Sequence, residues 1–128
     1  MTDYPTLAEI LAIHSDQIDR YGGSRGVRDL GQLEAALFRP QTGYYADLIQ
    51  EAAALWESLA QSHPFVDGNK RTAFAVTYTF LVINGVQFVA DAEEIFAFIA
   101  RGYKDHSFNF EVLDGWLRTR TSWVAPIS

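Results

Sequence analysis

Two apolar stretches of helical period, residues 48–61 and 70–84, are separated by a short break that contains Pro64 and Gly68, and this break sets the plan of the chain. Pro64 cannot continue the helix that leads up to Gln61, so the backbone must turn near His63 and leave that side chain at the end of a rigid element. Gly68 allows a tight backbone path beside a ligand, and Asn69 is a good N-cap for a helix that begins near Lys70.

The rest of the chain reads as further helices. Thr6 and Glu9 form a capping box that opens a helix with Leu7, Ile10, Leu11, His14 and Ile18 on one face, closed at Tyr21-Gly22-Gly23. Asp29 and Gln32 mark a second start, with Leu33, Ala36 and Leu37 inward and Pro40 at its end. Arg39-Pro40-Gln41-Thr42-Gly43-Tyr44-Tyr45 is irregular and reads as a loop. The 48–61 helix turns Ala52, Leu55, Trp56 and Leu59 inward. The 70–84 helix is apolar almost all round, which predicts the central buried helix, capped by Gly85. Residues 86–89 suit a short strand or extended segment. Asp91 and Glu94 open another capping box before Ile95, Phe96, Phe98 and Ile99, and Asn109 caps a last helix through Val112, Leu113, Trp116 and Leu117. There is no internal repeat, low-complexity tract or linker. The expected fold is all-α, a compact single-domain helical bundle over residues 1–128 with the break between its two central helices.

With 48% apolar residues in 128, such a chain can bury a real core. Its net charge of −6 argues against direct binding to a nucleic-acid backbone and weakens a nuclease reading. Without cysteine it has no disulfide framework, thiolate zinc site or cysteine nucleophile. Met1-Thr2-Asp3-Tyr4-Pro5 lacks the basic and apolar regions of a signal peptide, and the apolar run 73–83 is too short to span a bilayer. These features predict a cytoplasmic protein with no membrane partner.

The break itself, His63-Pro64-Phe65-Val66-Asp67-Gly68-Asn69-Lys70-Arg71-Thr72, combines a base, a carboxylate, a bendable loop and two cations at the mouth of a helix. A helix beginning here turns its unpaired N–H groups and the positive end of its dipole back on the loop. Lys70 and Arg71 stand on that first turn, where the dipole disfavours cations, so an anion that sits there explains them better than helix stability does. His63 is the member that can shuttle a proton near neutral pH, the candidate general base for a hydroxyl nucleophile. Asp67 is a hard oxygen ligand suited to Mg²⁺ bridging phosphates. Phosphoryl transfer asks for positioning and charge stabilisation, which the loop amides, Lys70 and Arg71 can supply without a protein nucleophile.

Each part has a plainer reading. A lone His-Pro is ordinarily a loop, Asp-Gly a turn, and Lys-Arg at a helix start a solvated surface. The conjunction at this spacing points to phosphate chemistry, but not to which phosphate moves. His14, among Ile10, Leu11 and Ile18, reads more readily as a satisfied core histidine than as a site residue, and His106 beside Asp105 and Ser107 as surface loop. Tyr44 and Tyr45 fit either an aromatic contact for a target chain or a lid on exposed core, with Gly43 favouring a mobile flap; Arg39 is open in the same way.

The motif resembles that of the Fic/Doc family, His-Pro-Phe-x-Asp/Glu-Gly-Asn-Gly/Lys-Arg, and Lys70 running into Thr72-Ala73 is similar to its death-on-curing (Doc) toxin branch. The likeness extends to 13–23, to Glu34-Ala35-Ala36 with Arg39-Pro40, and to Asn84-Gly85-Val86. It implies a helical domain whose motif loop joins two core helices, faced by a flap, here Arg39, Gly43, Tyr44 and Tyr45, that aligns the protein substrate. It further implies ATP as substrate with its γ-phosphate toward the nucleophile, a phosphothreonine on elongation factor Tu as product, and arrested translation. His63 would deprotonate the threonine, Asp67 would hold Mg²⁺, and Gly68, Asn69, Lys70 and Arg71 would bind phosphate. Fic adenylyltransferases resemble the motif too, but have Gly where Lys70 stands and a phosphate-gripping Arg where Phe74 stands. Pro64 and Gly68 follow the Fic consensus, so transfer of AMP to a protein hydroxyl stays open as an alternative, as does a catalytically inert binding module. The Ser/Thr-x-x-x-Glu-Gly/Asn autoinhibitory helix of many Fic proteins is not evident: Ser107 and Glu111 have the spacing, but Val112 follows. Restraint is therefore expected from a separate cognate antitoxin, seated in an apolar groove between the N-terminal and later helices.

Overall fold

Every large helix of this molecule leans on α3 (Leu48–Ser62) or on a helix that does. Asp47 caps it by accepting from the Gln50 amide at 2.9 Å, and the run Ala52-Ala53-Ala54, fully buried, gives its neighbours room to approach. The computed structural model of the chain, which describes residues 1–124, places around it α2 (Leu30–Phe38), a 3₁₀ turn (Arg39–Thr42), α4 (Asn69–Ile83) and α6 (Phe110–Arg120). α1 (Leu7–Tyr21) packs on α4, opened by the Thr6–Glu9 capping box and closed at Gly22. α5 (Ala92–Lys104) lies at the periphery. The fold is all-α apart from an antiparallel pair of three-residue strands, β1 (Val86–Phe88) and β2 (Thr121–Trp123), in which Gln87 faces Ser122.

Trp56 anchors the core. It is fully buried, and the rings of Phe74, Phe108, Phe98 and Trp116 lie 5.5, 5.6, 5.9 and 6.1 Å from it, so α3, α4, α5 and α6 meet on one side chain. α5 is held to this cluster by Phe98, stacked on Trp116 at 4.3 Å, and by the close seat of Gly102 against Phe108.

Several boundaries differ from expectation. α4 is not the most enclosed helix: Tyr78, Val82 and Ile83 on its outer face are 44, 45 and 44% exposed, and α3 is central instead. An apolar circumference does not reveal how many neighbours a helix has, whereas the alanine run of α3 does favour close approach. Pro40 does not end a helix in a loop; it sits in the first turn of the 3₁₀ segment, where its missing N–H costs nothing. Asp91 caps α5 through the Glu94 amide, but the reciprocal bond of a capping box is not formed, and Phe96 stands 76% exposed. The strand β2 had no sequence signal. Among the described residues no helix is long and apolar enough to cross a membrane.

Candidate active site

α3 ends in an unusual way. His63 adopts the left-handed conformation, φ 48 and ψ 59, which costs a non-glycine residue about 1–2 kcal/mol. The turn throws its exposed side chain out of the bundle, and among the described residues no side chain hydrogen-bonds its imidazole. The loop after it is braced from three sides. The 26–29 segment pairs with it through Val66 N–H to Gly26 C=O at 3.0 Å, Arg28 N–H to Pro64 C=O at 2.8 Å and Asp29 N–H to Pro64 C=O at 3.0 Å. Asn69 closes it from within, its Oδ1 accepting from the Phe65 N–H and its Nδ2 donating to the Phe65 carbonyl, each at 2.9 Å. His14 supports it from below: buried, stacked on Phe65 with ring centroids 3.9 Å apart, and 2.8 Å from Nε2 to the Asp67 carbonyl. A carbonyl only accepts, so Nε2 of His14 carries its proton. His14 is thus both a core histidine and a support of the motif loop.

Asp67 lies exposed in the turn. Its carboxylate accepts from the Ser24 amide at 3.1 Å and from the Gly68 amide at 2.8 Å; these two bonds, with the nearby Arg71 charge, hold its pKa below the usual carboxylate range. The contact with 23–24 requires glycine. Gly23 has φ 116, and a β-carbon there would stand 2.8 Å from Oδ2 of Asp67. Gly23→Ala is therefore expected to cost about 1–3 kcal/mol in urea denaturation and to displace the Asp67 carboxylate in a crystal structure of the variant. A variant with parental stability and an unmoved carboxylate would contradict this placement of Asp67.

α4 starts one residue earlier than expected. Gly68, at φ 73, is the N-cap position and Asn69 is the first helical residue, because the Asn69 side chain is committed to Phe65 and cannot cap. The backbone N–H groups of Asn69, Lys70 and Arg71 precede the first intrahelical donor, the Thr72 N–H, which donates to Gly68 C=O at 3.0 Å, and they open toward the loop with the positive end of the helix dipole. Arg71 spans from here to the C-terminus of α1, donating to Gly22 C=O at 2.9 Å and lying over the Tyr21 ring. Lys70 projects toward α5, its ammonium 4.7 Å from the centre of the Tyr103 ring. Burial pushes the Tyr103 hydroxyl up to about 12.

These groups border one groove of about 1720 Å³ that runs between α1, α4 and α5. Its polar end is formed by His63, Asp67, Gly68, Asn69, Lys70 and Arg71; its apolar end by Phe74, Ala75 and Tyr78 of α4 against Ile95, Phe96 and Ile99 of α5, with Ala12 and Ile13 of α1. Phe74 packs on Trp56 and Phe88 while lining it. Arg39, Gly43, Tyr44 and Tyr45 do not line the groove. Arg39 donates to Tyr45 Oη at 2.7 Å, Glu57 Oε1 at 2.7 Å and Ser58 Oγ at 2.9 Å, and Glu57 in turn accepts from the Phe110 amide at 2.7 Å. This network ties the 3₁₀ turn to α3 and α6; of the four residues, Tyr44 at 84% and Gly43 remain exposed.

The donor set fits Mg²⁺ on a nucleotide. Among the described residues no three His, Cys, Asp or Glu side chains converge on one point, so a dication would rely on Asp67 together with phosphate oxygens and water, a usual arrangement for Mg²⁺. The anionic, outward-facing carboxylate of Asp67 is suited to that part.

Sequence reasoning missed Gly23, Ser24 and Arg28. Ser24 acts through its backbone and leaves no residue-type signal. Gly23 had one: a second glycine directly after the glycine that ends α1.

The model of the Fic/DOC family matches residues 4–81. A protein of Mycolicibacterium smegmatis named Toxin Doc is 48% identical over 96 residues, covering 71% of this chain and 72% of that protein. Protein kinase doc of Escherichia phage P1 is 40% identical over 91 residues, covering 68% of this chain and 71% of that one.

Proposed function

Because the chain belongs to the Fic/Doc family, and within it is of the Doc toxin type, we propose that it is a transferase that moves the γ-phosphate of ATP to a threonine hydroxyl of a translation factor, elongation factor Tu, and so stops translation. The observation that carries this reading is the exposed imidazole of His63 at the rim of a groove whose polar end is the N-terminus of α4 with Lys70.

His63 accepts the proton of the incoming hydroxyl, whose oxygen attacks the γ-phosphorus as the bond to the β-phosphate oxygen breaks and ADP departs. The N–H groups of Asn69, Lys70 and Arg71 and the Lys70 ammonium face the phosphates and offset the charge that develops. Arg71 and the side chain of Asn69 contribute by holding the helix start in place, as their bonds to Gly22 and Phe65 suggest. Asp67 would hold Mg²⁺, which when bound would supply positive charge against the phosphates. Phe74 supports phosphate over AMP transfer: the position from which a Fic-type arginine would grip the nucleotide's terminal phosphates is filled by a ring packed on Trp56.

A Doc-type toxin has a cognate antitoxin as partner. We infer that it occupies the apolar end of the groove, which exposed Tyr78 of α4 and exposed Phe96 of α5 both line, and that its presence there closes the way to His63. Tyr44, exposed on the 43–45 segment, is the part of the expected flap available to a protein substrate.

The reading is tested by incubating the chain with a cell lysate and ATP labelled at either the γ- or the α-phosphate. Protein-bound label from γ-labelled ATP alone supports it; label from α-labelled ATP overturns it in favour of nucleotidyl transfer.

A further inference from the structure

We propose that Arg28 is a positioning residue for His63, completing the C-terminal cap of α3 from outside that helix and so fixing the direction in which the imidazole points. A helix that ends in a left-handed residue is ordinarily closed by the N–H of a following residue donating back to a carbonyl of the last turn. Here the next residue is Pro64, which has no N–H. The usual closure is therefore missing where a non-glycine residue, His63 at φ 48, must be kept left-handed.

The Arg28 guanidinium stands in for it. One terminal nitrogen donates to the Ser62 carbonyl at 2.8 Å and also to that of His63, while Nε donates to the His63 carbonyl at 2.9 Å. A cation on these carbonyls lies at the negative end of the α3 dipole, and its planar fork fits two adjacent acceptors. The Arg28 and Asp29 amides add bonds to the Pro64 carbonyl, so the three successive peptide planes from Ser62 to Phe65 are held by residues 28–29. No acidic side chain of the described residues pairs with Arg28; its hydrogen bonds go to the motif backbone.

The catalytic part of this inference rests on the reading of His63 as general base; the conformational part does not. Two measurements on the full chain keep them apart. In a crystal structure of Arg28→Ala, His63 is expected to leave the left-handed region; a His63 still near φ 48 would overturn the proposal whatever group the enzyme transfers. In kinetics, Arg28→Ala is expected to lower kcat by about 10–100-fold with KM for ATP nearly unchanged, because the base is misdirected and the phosphate site is intact. Arg28→Lys should recover only part of the loss, and added guanidinium ion should recover more of it than ammonium ion. In a His63→Ala background the Arg28→Ala change should cost nothing further, since the group it positions is gone. Parental kcat in Arg28→Ala, or a full additional loss in the His63→Ala background, would overturn it. Failure of the parent chain to phosphorylate any protein would count against the proposed function alone, and the conformation of His63 would still decide the role of Arg28.

Discussion

Replacing His63 with alanine should lower the rate of phosphate transfer by about 10²–10⁴-fold, the range that a positioned general base contributes, with ATP affinity close to that of the parent. The separation follows from the site: the amides we propose to face phosphate belong to α4 and Asp67 is held by Ser24 and Gly68, so none of them depends on the imidazole. His63→Gly should be as inactive as the alanine variant yet more stable, by up to about 1 kcal/mol, because glycine adopts φ 48 without the steric cost borne by histidine. Thermal denaturation of the three proteins together with their transfer rates checks both parts. An active His63→Ala chain would remove histidine from the mechanism. A His63→Gly chain less stable than the parent would mean that the imidazole itself contributes to the fold, although it is exposed.

The largest structural effect is expected at Trp56. Trp56→Ala removes the side chain on which Phe74, Phe98, Phe108 and Trp116 converge, and should destabilise by about 3–5 kcal/mol, lowering Tm on the order of 10–20 °C. Against a typical total of about 5–15 kcal/mol this leaves a marginal domain. The loss should also reach the groove, since Phe74 lines one wall and Phe98 holds α5, which forms the other. Hydrogen exchange should therefore rise in α5 before it rises in α3. Trp56→Phe, which keeps an aromatic contact, should lose less. If Trp56→Ala melted within a few degrees of the parent, the core would not be organised around this residue.

Local signals in the sequence proved the most reliable. Thr6 with Glu9, Asp29 and Asn109 cap helices as their spacing suggests, since a cap involves residues three apart. The run from His63 to Arg71 could be read because the residues that form the polar end of the groove are contiguous in the chain. What escaped were contacts between distant residues. His14 reaches the Asp67 carbonyl, Ser24 its carboxylate and Arg28 the His63 carbonyl, and none of these pairings leaves a period or spacing in the sequence. Apolar residues were also ambiguous in kind. Phe96 and Tyr78 look like core by composition, yet they line the groove, because α5 packs inward through Phe98 and Gly102. Arg39 and Tyr45, drawn together with Tyr44 by their place in an irregular segment, differ from it in use: the first two form a network with Glu57 and Ser58, while Tyr44 remains exposed.

The site also combines strain and support. A left-handed histidine, a glycine at φ 116 beside Asp67 and a helix end without its usual closing donor all lie within the motif loop or against it. Bonds from the 22–29 segment meet each of them, through Ser24, Arg28 and Asp29. On this account that segment is as much part of the active site as the motif, although it supplies no reacting group.

The measurement that bears most directly on the account is the intact mass of purified elongation factor Tu after incubation with the chain, ATP and Mg²⁺, beside a His63→Ala control. A gain of one phosphate that disappears in the control is the predicted result; a gain of AMP, or a phosphate gain that survives loss of His63, would contradict it.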